Sequence, residues 1–207
     1  MNVFILHHEP KKAAQMHCDK HVVKMIIESA QMLSTAHRML DGKPERRPSK
    51  SGKTMQQYYK LPDHREKILY KAVHKFHPCT QWTMEHRDNY DWHYDLFYQL
   101  CREYTYRYGK KHKTANLLDE LYHKPDNIKR DFISEKKHKW ANKHFDTYYK
   151  WGRLTTPPLA MKSNPECMFP DDPVKSYRKF YKTKQARFKM AWTKRSTPEW
   201  FMEGGDK

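Results

Sequence analysis

The sequence predicts a mainly α, single-domain helical bundle with a short N-terminal extended segment. Three observations lead to this prediction. Long stretches lack helix breakers, strand signals are few, and 6 Trp, 14 Tyr and 9 Phe supply core material that disordered basic chains lack. A length of 207 residues suits one domain, 1–207.

The first third of the chain predicts an arm, a long helix and a loop. Residues 1–8 are apolar and predict a short strand or an extended arm. Pro10 suits the first turn of a helix, and nothing interrupts the pattern before Asp41-Gly42, so one helix is predicted over Pro10–Leu40. The stretch 43–53 is basic and rich in Pro, Ser and Gly, which predicts a mobile loop.

A second long helix is predicted over Thr80–Tyr108, because its apolar residues recur at three-four spacing and Gly109 ends it. Shorter helical elements are predicted within 64–76, 114–123, 128–152 and 173–182, followed by a docked tail at 197–201.

Charge narrows the partner. The chain has 41 Lys and Arg against 24 Asp and Glu, a formal net charge of +17. Such an excess strains a compact chain unless a polyanion offsets it, and nucleic acid is the commonest polyanion. No apolar stretch approaches the ~18–20 residues of a membrane span, and no signal peptide precedes the helix. We therefore expect DNA as the partner, with RNA as the alternative, no membrane association, and a cytoplasmic location.

The four cysteines form no Cys-x-x-Cys pair and are interpreted as reduced, buried thiols.

Two basic stretches are the predicted phosphate contacts. The segment 174–201 interleaves cations with aromatic rings and has no acid before Glu199. Cations neutralise phosphates, and rings offer faces on which unpaired bases stack. Alternatively, the rings are core and the cations are solvated. The predicted contacts are Lys175, Arg178, Lys179, Lys182, Lys184, Arg187, Trp192, Lys194 and Arg195 here, and Arg46 and Arg47 in the loop 43–53.

One polar stripe marks the first predicted helix. At 100° per residue, it comprises His17, His21, Lys24, Glu28, Gln31 and Thr35. The stripe is either a solvated strip or the floor of a cleft. Three chemical interpretations compete: a metal site at His17 and His21, an acid/base Glu28 with His21 as a hydrogen-bond neighbour, or hydrogen bonds to other helices. The second is preferred, so neither a metal nor a cofactor is expected.

Several segments resemble a mostly uncharacterised family of small bacteriophage proteins. They are the run Cys18–Arg38 (CDKHVVKMIIESAQMLSTAHR), His77-Pro-Cys-Thr, Glu103–Gly109 and Pro198-Glu-Trp-Phe201. This family is in turn distantly similar to the phage-type pyrimidine dimer DNA glycosylases of the endonuclease V type. Those are single-domain, mainly α, basic proteins whose first helix carries Asp-x-His and then a Glu seven residues after the His. Here these residues are Asp19-Lys20-His21 and Glu28, and the aromatic-rich stretch Tyr90–Tyr108 matches a second long helix.

The resemblance implies a mechanism. In the glycosylases the free α-amine attacks C1′ of the damaged nucleotide, a Schiff base forms, and β-elimination nicks the strand. Carried over, Met1 keeps the amine because Asn2 is too large for efficient methionine removal, Glu28 is the acid/base, and His21 contacts DNA. The family's arginines beside the Glu are replaced here by Ile27 and Gln31. We count Lys24 and Gln31 as further nucleic-acid contacts.

The function expected is a DNA glycosylase/AP lyase acting on damaged or modified pyrimidines in the cytoplasm of the infected host. The first alternative is a non-catalytic DNA- or RNA-binding phage protein. The second is a metal-dependent nucleic-acid hydrolase using His17 and His21.

Overall fold

The computed structural model describes residues 1–129 and 154–202. It is mainly α, as predicted, with one small antiparallel sheet that was not predicted. The helices are α1 Pro10–Met16, α2 Asp19–Asp41, α3 Arg65–Ile68, α4 Pro78–Glu85, α5 Arg87–Tyr108, α6 Leu118–Tyr122, α7 Pro173–Lys182 and α8 Glu199–Met202. The strands are β1 Lys43–Pro48 and β2 Met55–Lys60, and short 3-10 turns span Lys113–Leu117, Pro165–Cys167 and Thr183–Ala186.

The core lies where α2 packs against α5, with α1 and α4 beside them. Both long helices bury a broad apolar face, as amphipathic helices do. The N-terminal arm, residues 1–6, forms neither helix nor strand, and residues 3–6 are almost fully buried. Phe4 meets Tyr177 and Tyr181 of α7 edge-on, with ring centroids 6.2 and 5.1 Å apart. The arm thus joins the beginning of the described chain to α7.

The first predicted helix is wrong as a single element, because it breaks at His17 and Cys18. Both residues have extended backbones. Partners from far along the chain replace the intrahelical bonds lost there: the Cys18 amide donates to the Tyr181 hydroxyl at 2.9 Å, and the Asp19 amide donates to the Ala191 carbonyl at 2.8 Å.

The second predicted helix also breaks, at His86, whose φ and ψ of −153° and 151° are extended. Its Nδ1 accepts a hydrogen bond from the Asp88 amide at 3.2 Å, so the side chain caps the new helix. The predicted end is confirmed, since Gly109 adopts the left-handed conformation (φ 68°) typical of a helix stop.

The prediction of a mobile loop over 43–53 is wrong for its first half. Strand β1 pairs with β2 from Lys43–Lys60 to Pro48–Met55. The Arg47 guanidinium lies 3.6 Å from the centre of the Tyr58 ring, a cation–π contact across the hairpin. The partner strand β2 lies outside 43–53, so the composition of that stretch alone does not reveal the pairing.

The shorter elements follow the sequence more closely. The helix predicted within 64–76 covers only α3, whereas α6 with its preceding 3-10 turn, α7 and the docked tail lie where expected. The helical segment predicted at 128–152 falls almost entirely outside the described residues. In the part of the chain that the structure describes, no helix is long and apolar enough to cross a membrane.

Candidate active site and nucleic-acid interface

Glu28 lies on α2 with a side chain that is 12% exposed. One of its oxygens accepts a hydrogen bond from the backbone amide of Asn2 at 2.9 Å. The other lies 3.2 Å from the ammonium group of Lys24, one helical turn earlier, whose side chain is 60% exposed. One oxygen of the carboxylate is therefore bound by the buried arm. The other is bound by a lysine that is itself exposed to solvent.

The α-amine of Met1 is held beside this carboxylate. The nitrogens of consecutive residues are at most about 3.7 Å apart, so the Met1 amine lies within about 7 Å of the Glu28 oxygen that binds Asn2. Met1 itself is only partly buried. Burial lowers the pKa of His77, and the N-terminal amine lowers it further while Glu28 raises it. Amine, carboxylate and imidazole thus share one neighbourhood.

The arm reaches this position through Asn2, which the sequence did not single out. Its side-chain amide donates to the Ala160 carbonyl at 3.4 Å, and its side-chain oxygen accepts from the Cys79 thiol at 3.8 Å. Burial raises the pKa of Cys79 to about 11, so this thiol is a neutral packing group and not a nucleophile. All four cysteines are buried and free, as predicted.

His21 is not placed as the sequence suggested. Its side chain is 5% exposed and stacks on Phe4, with ring centroids 5.2 Å apart. Tyr181 and Phe188 meet the imidazole edge-on at 4.9 and 5.4 Å. Burial lowers the pKa of His21 to about 3, so the ring is neutral. This corrects the expectation of a DNA contact, because the C-terminal segment covers the stripe at this point and His21 supports the arm instead.

His17 is also buried, and its Nδ1 lies 2.7 Å from the Ala13 carbonyl. Burial lowers its pKa to about 4. Asp19, a possible third ligand, is engaged with Arg107 at 2.9 Å and with Thr193. Within residues 1–129 and 154–202, no three His, Cys, Asp or Glu side chains come close enough to hold a metal ion. The metal interpretation therefore lacks a ligand set among these residues.

A cationic rim flanks the carboxylate; we use the term for Lys20, Lys24, Lys184 and Arg187. Burial lowers the pKa of Lys184, and the charges of Arg187 and Lys24 lower it further, so the three cations are close enough to repel one another. The Lys184 ammonium lies 3.4 Å from the centre of the Phe180 ring, and the Lys20 ammonium 4.8 Å from that of Phe188. A phosphate backbone bound at this surface would reduce the repulsion between the crowded cations.

Other predicted contacts are either exposed cations or cations that bind elsewhere in the protein. Lys175 and Lys179 are exposed on α7, over the Phe169 ring. Arg178 donates to the Leu6 carbonyl at 2.9 Å and so holds the arm. Lys182 is half-buried.

Further along the segment, Trp192 is 8% exposed, and its indole donates to the Met16 carbonyl at 2.9 Å. This corrects its assignment as a stacking platform, because the ring is core. Arg195 pairs with Glu103 at 2.9 Å, and the exposed Lys194 donates to the Tyr106 carbonyl at 3.2 Å. These two cations brace α5 against the tail.

Three predicted contacts remain, two on strand β1 and one on α2. Arg46 is exposed on β1, whereas Arg47 pairs with Glu45 and stacks on Tyr58. Gln31 is half-buried on α2, three residues after Glu28.

Comparison of the chain with protein families, curated proteins and solved structures finds no significant match in any of the three. The resemblance to the phage glycosylases therefore stays a prediction, and the function rests on the geometry of the site.

Proposed function

We propose that the protein is a DNA glycosylase and AP lyase for damaged or modified pyrimidines, with the α-amine of Met1 as nucleophile and Glu28 as the acid/base. The observation that supports this proposal is the hydrogen bond from the Asn2 amide to Glu28, which holds the amine beside the carboxylate. The buried residues 2–6 of the arm limit the separation of the two groups, and a reaction between two groups depends on such positioning.

Glu28 carries protons in two of the steps. The neutral amine forms a bond to C1′, the bond from C1′ to the base breaks, and the base leaves with the electron pair and takes up a proton from water. Glu28 removes one proton from the amine and returns it to O4′ as the sugar ring opens, which leaves a protonated imine between the amine nitrogen and C1′. Loss of a proton from C2′ to the carboxylate then expels the 3′ phosphate with its bonding electrons. α-Amines in general are more often neutral at pH 7 than lysine side chains, which suits such a nucleophile.

The cationic rim supplies the binding energy in this scheme. Lys24 is the one rim residue paired with Glu28, and its side chain is mostly exposed. A phosphate can therefore compete for Lys24 without disturbing the core. Release of this cation towards the backbone would leave the carboxylate free to accept a proton.

Trapping with borohydride tests the proposal. The reagent reduces an imine to a stable secondary amine. Wild-type protein should therefore form a covalent adduct with abasic DNA, and the attachment point should map to the N-terminal peptide. A variant extended by several residues before Met1 should lose the adduct, because its α-amine is displaced from Glu28. Lys184→Ala, which removes a nearby side-chain amine, should keep the adduct when the protein concentration is high enough to saturate the DNA. An adduct that maps to Lys24 or Lys184, or no adduct on any abasic or lesion-containing DNA, would contradict the proposal.

A non-catalytic nucleic-acid-binding protein is the second candidate. The exposed cations of α7 and the rim favour it. It predicts affinity that falls steeply with salt and no covalent product on any substrate. Parallel titrations of matched DNA and RNA duplexes would identify the preferred polymer.

A further inference from the structure

Phe76 is 78% exposed, the largest exposed fraction among the large hydrophobic side chains in the described ranges. An exposed phenylalanine ring contributes no burial free energy to the fold. Its retention on a basic surface therefore invites a functional explanation. No Asp or Glu occurs from Lys67 to Met84, and Lys71, Lys75 and two histidines lie in that stretch.

The turn that carries Phe76 is firmly held. His74 adopts a positive φ of 47°, which is uncommon for a residue other than glycine. The turn closes with a hydrogen bond from the His77 amide to the His74 carbonyl at 2.9 Å. Before the turn, the Val73 amide donates to the Thr35 hydroxyl at 3.1 Å, so the segment is tied to α2. The ring is therefore presented on a fixed support.

The neighbours of Phe76 reinforce that support. The Lys75 ammonium lies 5.0 Å from the centre of the Phe76 ring and donates to the Tyr59 hydroxyl at 2.9 Å, which links the turn to β2. The Gln81 side chain donates to the Lys75 carbonyl from α4. Contacts thus reach the turn from α2, β2 and α4, yet none of them covers the ring.

The turn also lies close to the candidate active site. Cys79, three residues after Phe76, contacts Asn2, whose amide binds Glu28. His77, which follows Phe76 directly, is close enough to the N-terminal amine and to Glu28 for both charges to shift its pKa. Because consecutive Cα atoms are about 3.8 Å apart, the backbone that carries the Phe76 ring lies beside this group of residues.

We propose that Phe76 is a wedge that enters the base stack of duplex DNA next to the target nucleotide and fills the space left when that nucleotide, or its partner, leaves the stack. The inference rests on the proposed function, since it takes the target to be at the amine–carboxylate site. Apolar side chains that enter a base step unstack it and kink the duplex, and enzymes acting on a base must take that base out of the stack.

Fluorescence of 2-aminopurine tests the wedge without any chemistry. The reporter is placed beside a tetrahydrofuran abasic analogue in a duplex, where unstacking raises its fluorescence. Wild-type protein should produce the rise, Phe76→Ala should lose most of it, and Phe76→Trp should keep it. Tyr122→Ala is the matched control, because Tyr122 is 64% exposed on α6 and should not affect the signal.

Trapping on two substrates separates this inference from the proposed function. Single-stranded abasic DNA needs no unstacking, so Phe76→Ala should form the borohydride adduct there as wild type does and lose about tenfold or more on duplex. If Phe76→Ala equals wild type in both assays, or wild type gives no fluorescence rise, the wedge is overturned. If wild type forms no adduct on any DNA yet its fluorescence rise depends on Phe76, the wedge stands and the glycosylase proposal fails.

Discussion

The two halves of α2 hold buried charge in opposite ways, and we call the C-terminal half the closed end and the N-terminal half the open end. Near its C-terminal end, Arg38 is 1% exposed and donates to Glu66 at 2.7 Å, and Arg65 donates to Asp41 at the same distance. The Arg38 guanidinium also donates to backbone carbonyls of Tyr59, Glu66, Leu69 and Tyr70. In its N-terminal half, close to the middle of the helix, Glu28 has two partners, the backbone amide of Asn2 and the exposed Lys24.

The difference distinguishes a structural network of charges from a single carboxylate that has few partners. The network around Arg38 ties β2, α3 and the following loop to α2, and all its partners belong to this chain. Burial alone raises the pKa of Glu66, but hydrogen bonds from Tyr58 and Arg38 outweigh it and lower that pKa to about 2. At the open end, a ligand phosphate can replace the carboxylate as the partner of Lys24. The same helix thus holds the fold in its C-terminal half and, in the proposed function, supplies the acid/base in its N-terminal half.

The largest expected effect is on turnover. Glu28→Gln should lower the rate of strand cleavage about 100- to 10,000-fold, the usual contribution of a general acid/base, while duplex affinity changes little. Glu66→Gln, a matched change at the closed end, should instead lower stability and leave the rate per folded molecule intact. Single-turnover cleavage and urea unfolding measure the two effects. A normal rate in Glu28→Gln would remove Glu28 from the mechanism.

The next effect is on stability at the closed end. Arg38→Met should lower the free energy of unfolding by about 3–5 kcal/mol, because it leaves several buried acceptors unpaired. Lys24→Met is the control at the open end, where an exposed pair contributes only about 0–1 kcal/mol. Urea denaturation measures both. Equal losses in the two variants would break the comparison between the ends.

Acid should destabilise the fold through its buried histidines. Burial, the largest cause, lowers the pKa of His21 and His93 to about 3 and of His17 and His37 to about 4. The unfolded chain binds protons below about pH 6.5, whereas the folded chain does not until pH 3–4. The free energy of unfolding should therefore fall as pH drops from about 6.5 towards 4, by up to roughly 2 kcal/mol per histidine at pH 5.

Two substitutions sharpen this acid effect. His21→Phe, within its aromatic cluster, should reduce the pH dependence at little cost at pH 7.5. His37→Phe should destabilise at every pH, because the hydroxyl of Tyr90 and the guanidinium of Arg65 then lose a partner at 2.9 and 3.1 Å. Urea midpoints at pH 7.5 and 5 provide the measurement. A midpoint that does not change with pH would contradict the neutral, buried state of these rings.

The smallest effect is on affinity. Arg187→Ala at the exposed rim should weaken DNA binding a few-fold and reduce the slope of log affinity against log salt by about 0.9, the loss of one phosphate contact. Arg195→Ala should leave that slope unchanged, because its guanidinium is engaged with Glu103. Equal slopes for wild type and Arg187→Ala would place the phosphate backbone elsewhere.

Local patterns predicted the helical class, the stop at Gly109 and helix α7, because each depends on spacing and turn residues within a short window. The breaks at Cys18 and His86 were missed for different reasons. At Cys18 the partner hydroxyl belongs to Tyr181, 163 residues away, and no local rule includes it. At His86 an extended residue and its side-chain cap interrupt a pattern whose apolar spacing continues across the break.

The candidate site divides in the same way. Glu28 was singled out by the polar stripe and by the resemblance, and the amine of Met1 by the resemblance alone; the structure brings the two groups close. Asn2, Cys79 and Phe76 were missed because their importance depends on packing between segments distant in sequence. His21 was misplaced because periodicity gives the face of a helix, not what covers that face.

The position of Phe4 has a consequence for the order in which the site is assembled during synthesis. The arm leaves the ribosome before the rings that clasp it, because those of Tyr177, Phe180 and Tyr181 are synthesised more than 170 residues later. Cys79 and Ala160, which also bind Asn2, precede α7, but the rings that bury Phe4 do not. Under the proposed function, a chain that ends before α7 carries both proposed reacting groups without the ring cluster that holds the arm, and it should not nick DNA.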